Sequence, residues 1–545
     1  MKKHLVIVVA VGALLLAACG ADPDLTGLAA GGRAAAPATI TTLDNVFGPT
    51  AADQVQRVEV GARVSWVNNG KNDHDIVPIG GDGWGVEAAD FRPGASYSHT
   101  FSEEGVYEYY CSLHGTENGG MKGRLLVGAV PDPGEEAPTA TDDVVAGPSG
   151  DTVRVPADQP SIQAAVDAAA PGDLILVAPG VYKEAVTVDE TKPYLTIRGE
   201  DRNTTILDGE FEEANGIFVV KAKGVAVENL TARNYTKNGF YWTGVDGYRG
   251  SYLTAIRNGD YGLYAFESVN GQFDNSYASG SPDAGFYIGG CQPCNAVIHN
   301  VVAEWNGLGY SGTNAGGNLV IAESVFRYNR AGIVPNSGSY EPDYPQRDNL
   351  IVGNLVHDNN NGRTPAIDIS ITAMGNGILS AGGVDNVIER NRVLDHDLGG
   401  IVVITYPESD EWLWKATGNQ VRDNVVARSG LGDIGLWYSF DDAEGPGEGN
   451  CFEGNTFATS APRDLERLAP CAGTGVGDMG DGGFDIVKLA VNDGKPVSVD
   501  YREAELPPVP DQPNMPDART APARPAVDVP MTLDVDAIEV PAAPR

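Results

Sequence analysis

A repeat of about 23 residues constrains the fold of this chain more than any other sequence feature. A glycine followed by a large apolar residue recurs at intervals of 23, 23, 23, 24 and 23 residues. The glycines are Gly216, Gly239, Gly262, Gly285, Gly309 and Gly332. Each period holds short strands separated by Asn and Gly turns, without a helical pattern between them. The repeat therefore predicts one turn of a coil whose parallel strands stack on the turns above and below.

A second pattern places an asparagine, any residue and then an apolar residue at one position of each turn. It occurs at Asn300, Asn354, Asn391 and Asn424. Asparagines that stack in this way form ladders of side-chain hydrogen bonds at the corners of a coil. The longer spacings in the later part of the chain predict loops that leave the C-terminal turns.

A short helix is predicted to cover the exposed N-terminal end of the coil. Ser161 is a suitable N-cap, Ile162, Ala165 and Val166 follow helical spacing, and Pro171-Gly172 ends the segment. The stretch PSIQAAVDAAAPGDLILVAPGVYKEAVTV resembles the opening of right-handed parallel β-helix proteins of the pectate-lyase-like superfamily. That resemblance implies a β-helix with an N-terminal capping helix over residues 151–473. It does not imply one function, because this fold hosts lyases, hydrolases, epimerases, adhesins and metal-enzyme assembly factors.

Residues 38–130 read as a separate all-β domain. Val64 and Trp66 fall on alternate positions of one predicted strand, and Tyr97, His99 and Phe101 fall on alternate positions of another. Short strands and Gly-rich turns predict a β-sandwich. His99 is interpreted as a structural residue of its strand.

Two motifs in this domain carry the types of side chain that bind copper. The first is VSWVNN followed by His74, and the second is YYCSLH, which contains Cys111 and His114, followed by Met121. Together they resemble a plastocyanin-type cupredoxin. The resemblance implies one type 1 copper ion with His74, Cys111 and His114 as ligands and Met121 as a weak axial ligand. It also implies that an exposed edge of the His74 ring serves as the electron port.

The residue types suit copper better than the alternative metal. One thiolate, two imidazoles and a thioether accommodate both Cu(I) and Cu(II), whereas one Cys, two His and a Met are a poor set for zinc. Six residues, GTENGG, separate His114 from Met121, which is more than in plastocyanins. The glycines make this wider loop feasible.

The first 19 residues resemble a bacterial lipoprotein signal. Lys2 and Lys3 precede an apolar run that is too short to span a bilayer, and the run ends in Leu-Ala-Ala before Cys19. The resemblance implies an exported protein whose Cys19 carries a lipid anchor to the membrane, at the cell envelope or periplasm. A plain secretory signal is the alternative. Residues 20–37 are predicted to form a flexible tether.

The remaining cysteines are consistent with an oxidising compartment. Apart from Cys19 and Cys111, the six cysteines leave Cys291, Cys294, Cys451 and Cys471. In an exported protein two disulfides are plausible. Cys291 and Cys294 are interpreted as a local structural disulfide, with a redox or metal-binding CxxC as the alternative. Cys451 and Cys471 are interpreted as a staple around a C-terminal loop.

Charge and composition limit the possible partners and indicate which segments are linkers. The chain has 74 acidic and 37 basic residues and a formal net charge of −37, which disfavours nucleic acid as a partner. Residues 131–150 are acidic and Pro-rich and are predicted to form an extended linker. Residues 474–545 form a Pro-rich C-terminal tail that is predicted to be extended or disordered.

No catalytic set is assigned to the β-helix. Asp395-His396-Asp397 and His357-Asp358 follow the Asn-x-apolar pattern and are interpreted as turn residues. Arg330, Arg347 and Asp348 lie on neighbouring turns, and Asp283, Asp395 and Asp397 are the carboxylates that could contribute to catalysis.

The sequence thus favours an exported, membrane-tethered protein that transfers one electron at a time through copper. Its β-helix would bind an unidentified redox partner protein or a surface polysaccharide. Two alternatives stay open. One is a polysaccharide lyase or hydrolase on the β-helix with an accessory copper domain, and the other is a periplasmic copper-handling or assembly factor.

Overall fold

The structure is a computed structural model, and it describes ten ranges of the chain. They are residues 36–48, 54–81, 83–117, 119–133, 150–409, 411–437, 449–476, 484–490, 496–526 and 530–544. The predicted signal peptide, Cys19, most of the tether and residues 134–149 of the predicted linker lie outside them. Among the described helices, none has the length and apolar composition needed to cross a membrane.

The first domain is a β-sandwich of eight described strands, as predicted. In chain order they are β1 (Ala38–Leu43), β2 (Val46–Phe47), β3 (Val55–Val58), β4 (Arg63–Asn68), β5 (Val77–Pro78), β6 (Ser96–Thr100), β7 (Gly105–Thr116) and β8 (Gly119–Val127). One sheet has the order β2-β1-β4-β6 and the other has the order β3-β8-β7-β5. Trp66, Phe101 and Tyr109 fill the space between the sheets and are at most 2% exposed. His99 lies on β6 with its ring centroid 4.9 Å from that of Phe101.

The second domain is a parallel β-helix built from three sheets, which confirms the fold predicted from the repeat. Every named pairing within the three sheets is parallel, and the order of strands in each sheet follows the chain. The first sheet contains Thr152–Val155, Leu174–Val177, Thr196–Gly199, Ala226–Glu228, Asp246–Ser251, Val269–Asp274, Ala296–His299, Gly316–Ala322, Arg347–Val352, Val387–Glu389, Gln420–Arg422 and Cys451–Glu453.

The other two sheets complete each turn of the coil. The second sheet contains Gly180–Tyr182, Thr205–Asp208, Thr231–Arg233, Thr254–Ile256, Tyr277–Ser279, Val302–Glu304, Val325–Arg327, Leu355–His357, Arg392–His396 and Val425–Ser429. The third sheet contains Val186–Val188, Ile217–Val220, Phe240–Thr243, Tyr261–Phe266, Ala284–Gly289, Leu308–Thr313, Ala331–Asn336, Ile378–Ala381, Gly399–Ile404, Gly432–Trp437 and Ser460–Ala461. A separate hairpin pairs Tyr406–Pro407 with Leu413–Trp414.

The remaining described elements are short helices. The α-helices are Ile162–Ala168, Asp368–Thr372, Leu465–Leu468 and Ile486–Ala490, and the 3-10 helices are Ala88–Asp90 and Val535–Ala537. The first α-helix is the predicted cap. Ser161 Oγ accepts a hydrogen bond from Ala164 N at 3.1 Å, and Ile162, Ala165 and Val166 are buried.

The 23-residue repeat corresponds to one stack of core residues. Ile217, Phe240, Leu263, Phe286, Tyr310 and Ile333 pair in register from strand to strand, and all are fully buried. The glycine before each of them lies in close contact with a neighbouring turn of the coil. A Cβ on Gly216 or on Gly262 would lie 2.5 Å from the carbonyl oxygen of the glycine one turn further on. In each repeat the apolar residue therefore builds the core stack, and the glycine before it leaves room for the neighbouring turn.

Asparagine ladders form at the corners, with one correction to the predicted register. Asn354, Asn391 and Asn424 are linked by Nδ2-to-Oδ1 hydrogen bonds of 3.0 Å. Asn300 does not join them, and its placement in this pattern is wrong by one residue. Val302 pairs with Val325, and Val325 pairs with Leu355, so Val301 takes the ladder position on its turn. Asn300 is exposed and bonds to Asn275 instead.

Both predicted disulfides are present. Cys291 is bonded to Cys294, and Cys451 is bonded to Cys471. Cys111 is the free cysteine among the described residues and is buried. The first disulfide stays within one turn of the coil, whereas the second closes a larger loop near the C-terminal end.

Apart from the short helices Ile486–Ala490 and Val535–Ala537, the described parts of the C-terminal tail are extended and hydrogen-bonded along the β-helix. Arginines of the coil donate to tail carbonyl oxygens, first to Pro496 from Arg330 and then to Pro513 from Arg202. The tail then returns, and its later residues accept bonds from Arg390 and Arg392. It therefore spans most of the coil in both directions.

Candidate metal centre

The three predicted ligands with the strongest affinity for copper lie together in the first domain. Cys111 Sγ is 3.7 Å from His74 Nδ1 and 3.5 Å from His114 Nδ1, and the two Nδ1 atoms are 3.1 Å apart. These separations fit one ion that contacts all three atoms at about 2.0–2.3 Å, the usual lengths for first-row metals. Among the described residues, no other three His, Cys, Asp or Glu side chains bring candidate ligand atoms within 4.8 Å of one another.

The local fold explains how the second motif supplies two ligands. β7 runs on through Cys111 and His114, but its pairing with β8 shifts between Tyr110 and Gly115. This irregularity lets both side chains reach the same side of the strand. In the spacer that follows, Gly115 pairs with Gly120 and Thr116 pairs with Gly119. Met121 follows at the start of β8, where it is 1% exposed and belongs to the same apolar cluster as Cys111.

Two side chains outside the predicted ligand set organise the loops. Asn68 Nδ2 donates to the carbonyl oxygens of Asn72 and Phe91, both at 2.9 Å, and thereby shapes the loop that carries His74. Asp75 accepts a hydrogen bond from Ser112 N at 2.6 Å and another from Ser112 Oγ at 2.5 Å. Because Asp75 follows His74 and Ser112 follows Cys111, this pair ties the two ligand segments together. The motif VNN indicates Asn68. The contact of Asp75 with Ser112 could not be predicted, because the two residues are 37 positions apart in the sequence.

Burial dominates the electrostatics of the site. It raises the pKa of the Cys111 thiol, with the nearby Asp75 carboxylate adding to the effect. It lowers the pKa of His114 well below 6.5, with His74 and Lys237 adding to that effect. The neutral imidazole is the form that binds a metal, so burial keeps His114 ready to do so.

The expected exposure of His74 is wrong. The His74 side chain is fully buried, and His114 is only 5% exposed. His74 Nε2 lies 3.6 Å from Oδ1 of the Asp44 carboxylate, which is longer than a hydrogen bond. Asp44 Oδ1 also accepts hydrogen bonds from the backbone nitrogens of Lys71 and Asn72. The site is therefore enclosed on the side where an open electron port was expected.

One face of the third sheet of the β-helix contacts the first domain. On this sheet Phe240 and Trp242 belong to the core inside the coil, whereas the alternate residues form a separate cluster on the outer side. The outward residues form the aromatic row, which is Phe218, Tyr241, Tyr264 and Tyr287. Their successive ring centroids are 4.8, 4.6 and 4.8 Å apart.

Direct contacts fix the first domain on this face. Asn45 Nδ2 donates to the hydroxyl of Tyr264 at 2.8 Å. The backbone nitrogen of Asp44 donates to the carbonyl oxygen of Tyr340 at 2.9 Å, and Lys71 Nζ lies 3.8 Å from the centroid of the Tyr340 ring. The metal centre and the β-helix are consequently parts of one packed unit.

The residues considered for catalysis on the β-helix have structural partners. Arg330 is buried and donates to the carbonyl oxygens of Thr364 and Pro496. Asp395 forms an ion pair with Arg428. His396 is buried, and burial lowers its pKa to about 3. Asp283 differs from these, because it lines a cavity at the junction of the two domains.

Other residues near Asp283 escaped the sequence analysis. Asp44, Lys71, Tyr261 and Glu341 line the same cavity. They come from segments separated by up to about 300 residues and from both domains. A signal in the sequence existed only for Tyr261, which immediately precedes one of the repeat glycines.

Comparisons with known protein families agree with both domains. Residues 51–128 match the family described as copper binding proteins, plastocyanin/azurin family, and residues 238–410 match the right handed beta helix region. Plastocyanin from Scenedesmus fuscus is 34% identical over 90 residues, which are 15% of this chain and 86% of that protein. The probable pectinesterase 67 of Arabidopsis thaliana is 25% identical over 126 residues, which are 22% of this chain and 37% of that protein.

Solved structures are similar to each of the two domains. The A-module of mannuronan C-5 epimerase AlgE4 from Azotobacter vinelandii has a TM-score of 0.43 and 15% identity, and covers 61% of this chain and 98% of that structure. A purple cupredoxin from Nitrosopumilus maritimus has a TM-score of 0.13 and 24% identity, and covers 16% of this chain and 98% of that structure.

Proposed function

This chain belongs, through its first domain, to the plastocyanin family of copper-binding proteins, and from that premise we propose that it transfers single electrons through one type 1 copper ion. The observation that carries the proposal is the buried triangle of one thiol sulfur and two imidazole nitrogens. Copper bound by such a set changes between Cu(I) and Cu(II) with little rearrangement.

The residues of this chain have distinct parts in the proposal. His74, Cys111 and His114 bind the ion, and Met121 is the weak axial ligand from β8. Asp75 orients the ligand segments through Ser112. Burial of His74, Cys111 and His114 keeps water from the ion, and the aromatic row holds the first domain in place through Asn45. The β-helix is in this proposal a rigid platform that holds the copper domain and binds a redox partner or a glycan.

Titration with Cu(II) tests the ligand set. The full-length protein should take up one equivalent and develop the intense visible band of a copper–thiolate bond. Cys111→Ser should lose that band almost completely, whereas His99→Gln should keep it, because His99 lies on β6 outside the triangle. A colourless loaded protein, or a band that survives in Cys111→Ser, would overturn the proposal.

Voltammetry tests the redox role and the axial ligand. The loaded protein should show one reversible electron per copper ion. Met121→Leu should raise the reduction potential, because the loss of a weak donor disfavours Cu(II), while the visible band remains. An unchanged potential would contradict the role of Met121. If bound copper is instead released to an apo-enzyme without reversible cycling, the copper-handling alternative is favoured.

The second candidate function is action on a polysaccharide by the β-helix. It is supported by the match of residues 238–410 to the β-helix family and by the partial similarity to a probable pectinesterase. Incubation of the copper-free protein with pectin or alginate, followed by assays for methanol, reducing ends and unsaturated products, tests it. Turnover that persists in Cys111→Ser would place the activity on the β-helix.

The proposal also includes export and a lipid on Cys19, which attaches the protein to the outer face of a membrane. It is supported by the apolar segment that ends in Leu-Ala-Ala-Cys. In cells that express the full-length chain, mass spectrometry should find lipid on Cys19 of the processed protein, whereas Cys19→Ala should carry none. A processed wild-type protein without lipid would contradict the anchor.

A further inference from the structure

One corner of the β-helix brings a lysine to the end of the first domain that holds the metal centre. Lys237 lines the cavity at the junction of the two domains, together with Asp73, which immediately precedes the ligand His74. Asp260, on the next turn of the coil, lines the same cavity, and its backbone nitrogen donates to the carbonyl oxygen of Lys237 at 2.9 Å. A positive charge of the second domain therefore lies beside the loop that carries a copper ligand.

Direct contacts hold this corner against the first domain. The ring of Tyr261 stacks on the ring of Tyr264, with centroids 4.4 Å apart. The hydroxyl of Tyr264 accepts a hydrogen bond from Asn45 at 2.8 Å. Asn45 follows Asp44, whose carboxylate lies 3.6 Å from Nε2 of His74. A series of contacts therefore connects the corner to the metal centre.

The ammonium group of Lys237 is held in place and stays charged. Its Nζ lies 3.1 Å from Oδ2 of Asp260, and both side chains are largely buried. The Asp260 carboxylate raises the pKa of Lys237 above its ordinary 10.5, with Asp73 adding to the effect and burial opposing it. The charge also acts at the metal centre, because Lys237 adds to the burial that lowers the pKa of His114.

A fixed cation near the copper ion favours one oxidation state. Cu(II) bound to one thiolate and two neutral imidazoles carries a single positive charge, and the uptake of one electron makes the Cu(I) site neutral. A neighbouring positive charge therefore destabilises the Cu(II) state more than the Cu(I) state, and solvent screens this interaction only weakly where the groups are buried. The carboxylates of Asp44 and Asp75, which lie beside the ligands, act in the opposite sense.

We propose that Lys237 raises the reduction potential of the copper ion, so that the β-helix helps to set the potential at which the first domain exchanges electrons. This inference rests on the proposed electron transfer and gives the second domain a part in it. Asp260 has two effects, because it holds Lys237 in position and partly offsets its charge.

Voltammetry of the copper-loaded, full-length protein tests the assignment. Lys237→Met should lower the reduction potential by the equivalent of about a threefold to tenfold change in the ratio of Cu(II) to Cu(I) affinity, and a tenfold change is about 59 mV for one electron. Asp260→Asn should raise the potential, because it removes a negative charge. Lys237→Arg keeps the positive charge and should stay close to the wild type.

A second lysine of the β-helix provides the matched control. Lys223 also pairs with an aspartate, Asp246, at 3.0 Å, but it does not line the junction cavity. Lys223→Met should therefore keep the wild-type potential. Competition with a Cu(I)-selective chelator gives a second measurement, in which Lys237→Met should lose affinity for Cu(I) relative to Cu(II) by the factor that voltammetry reports.

The sign of each shift separates an electrostatic role from a structural one. An unchanged or higher potential in Lys237→Met, shifts of the same sign in Lys237→Met and Asp260→Asn, or an equal shift in Lys223→Met would each overturn the proposal. The visible copper–thiolate band of every variant reports whether the metal centre is intact. If the wild-type protein itself shows no reversible couple, the proposed electron transfer fails, and this inference fails with it.

Discussion

The two domains of this protein are specified in opposite ways. In the first domain the proposed chemistry depends on three ligand atoms that one bulged strand and one loop bring together. In the β-helix the structure depends on dozens of similar contacts, such as the core stack of Ile217 and Phe240 and the ladder of Asn354 and Asn391. The proposed function thus depends on a few residues of the first domain, whereas the stability of the β-helix depends on many. A single substitution should therefore change copper binding or β-helix stability without changing the other.

The largest expected effect concerns a ladder residue. Asn391 is fully buried, donates to Ile351 O at 2.8 Å and accepts from Asn354 N at 2.9 Å. Asn391→Ala leaves both backbone groups unpaired and should lower the free energy of unfolding of the β-helix by about 3–5 kcal/mol. Chemical denaturation checks this, and the visible copper band should be unchanged. Asn300→Ala, at an exposed asparagine, should cost only about 1 kcal/mol, and similar losses in both variants would contradict the role of the ladder.

The next effect concerns the pH dependence of stability. The Asp283 carboxyl keeps its proton up to about pH 7 in the folded protein but loses it near its ordinary pKa of 3.8 when unfolded. The folded state then binds more protons over this range, so the free energy of unfolding should fall as pH rises from 3.8 to about 7 and stay low above it. The difference of about 3 pH units corresponds to about 4 kcal/mol.

Asp283→Asn should therefore flatten this part of the profile and stabilise the protein above neutral pH. Denaturation at a series of pH values measures the effect. A residual slope should remain, because burial also raises the pKa of Glu267 to about 7. Asp368→Asn provides the control and should leave the wild-type profile intact, whereas a wild-type slope in Asp283→Asn would contradict the raised pKa.

The two disulfides offer a comparison within the β-helix. Cys451 and Cys471 are 20 residues apart, whereas Cys291 and Cys294 are 3 apart. Replacing Cys451 and Cys471 by serine should cost about 3 kcal/mol, because the unfolded chain regains more conformational freedom. Replacing Cys291 and Cys294 should cost about 2 kcal/mol by the same reasoning. Denaturant titrations of the two double variants measure the difference. A larger loss from the second pair would show that local packing outweighs loop length.

The smallest effect tests whether the two domains are coupled. Tyr264→Phe keeps the ring in the aromatic row and removes the hydrogen bond from Asn45. The first domain should lose about 1 kcal/mol of stability, seen as a lower melting temperature of the copper-domain transition in calorimetry. Tyr241→Phe is the matched control, because its hydroxyl has no hydrogen-bond partner among the described residues. Equal effects of the two variants would contradict the coupling.

Much of each domain could be predicted because its signals are local or periodic. The glycine repeat predicts the core stack since each glycine is required by contact with the next turn, as at Gly262. The spacing of Cys111 and His114 predicts two ligands since both lie on one irregular strand. Asn300 was assigned to the wrong ladder position because its turn carries Val301 where later turns carry asparagine.

What could not be predicted depends on contacts between distant segments. The docking of the first domain on the β-helix follows from contacts such as that of Asn45 with Tyr264, which lies more than 200 residues later in the chain. The cavity follows from the same docking, so neither motif nor repeat indicates that Asp44 and Glu341 share it. Arg330 was a candidate for catalysis because its partner Pro496 belongs to a tail without any regular pattern.

The doubled tail changes how the β-helix should respond to force. Turns of a solenoid ordinarily contact only their neighbours, so pulling on the ends detaches them one after another. Here two described parts of the tail, residues 496–526 and 530–544, run along the stack and accept hydrogen bonds from arginines near both of its ends. The tail therefore transmits a force on the outermost turn to turns that are distant from it. We expect the coil to unfold in one event under force rather than one turn at a time.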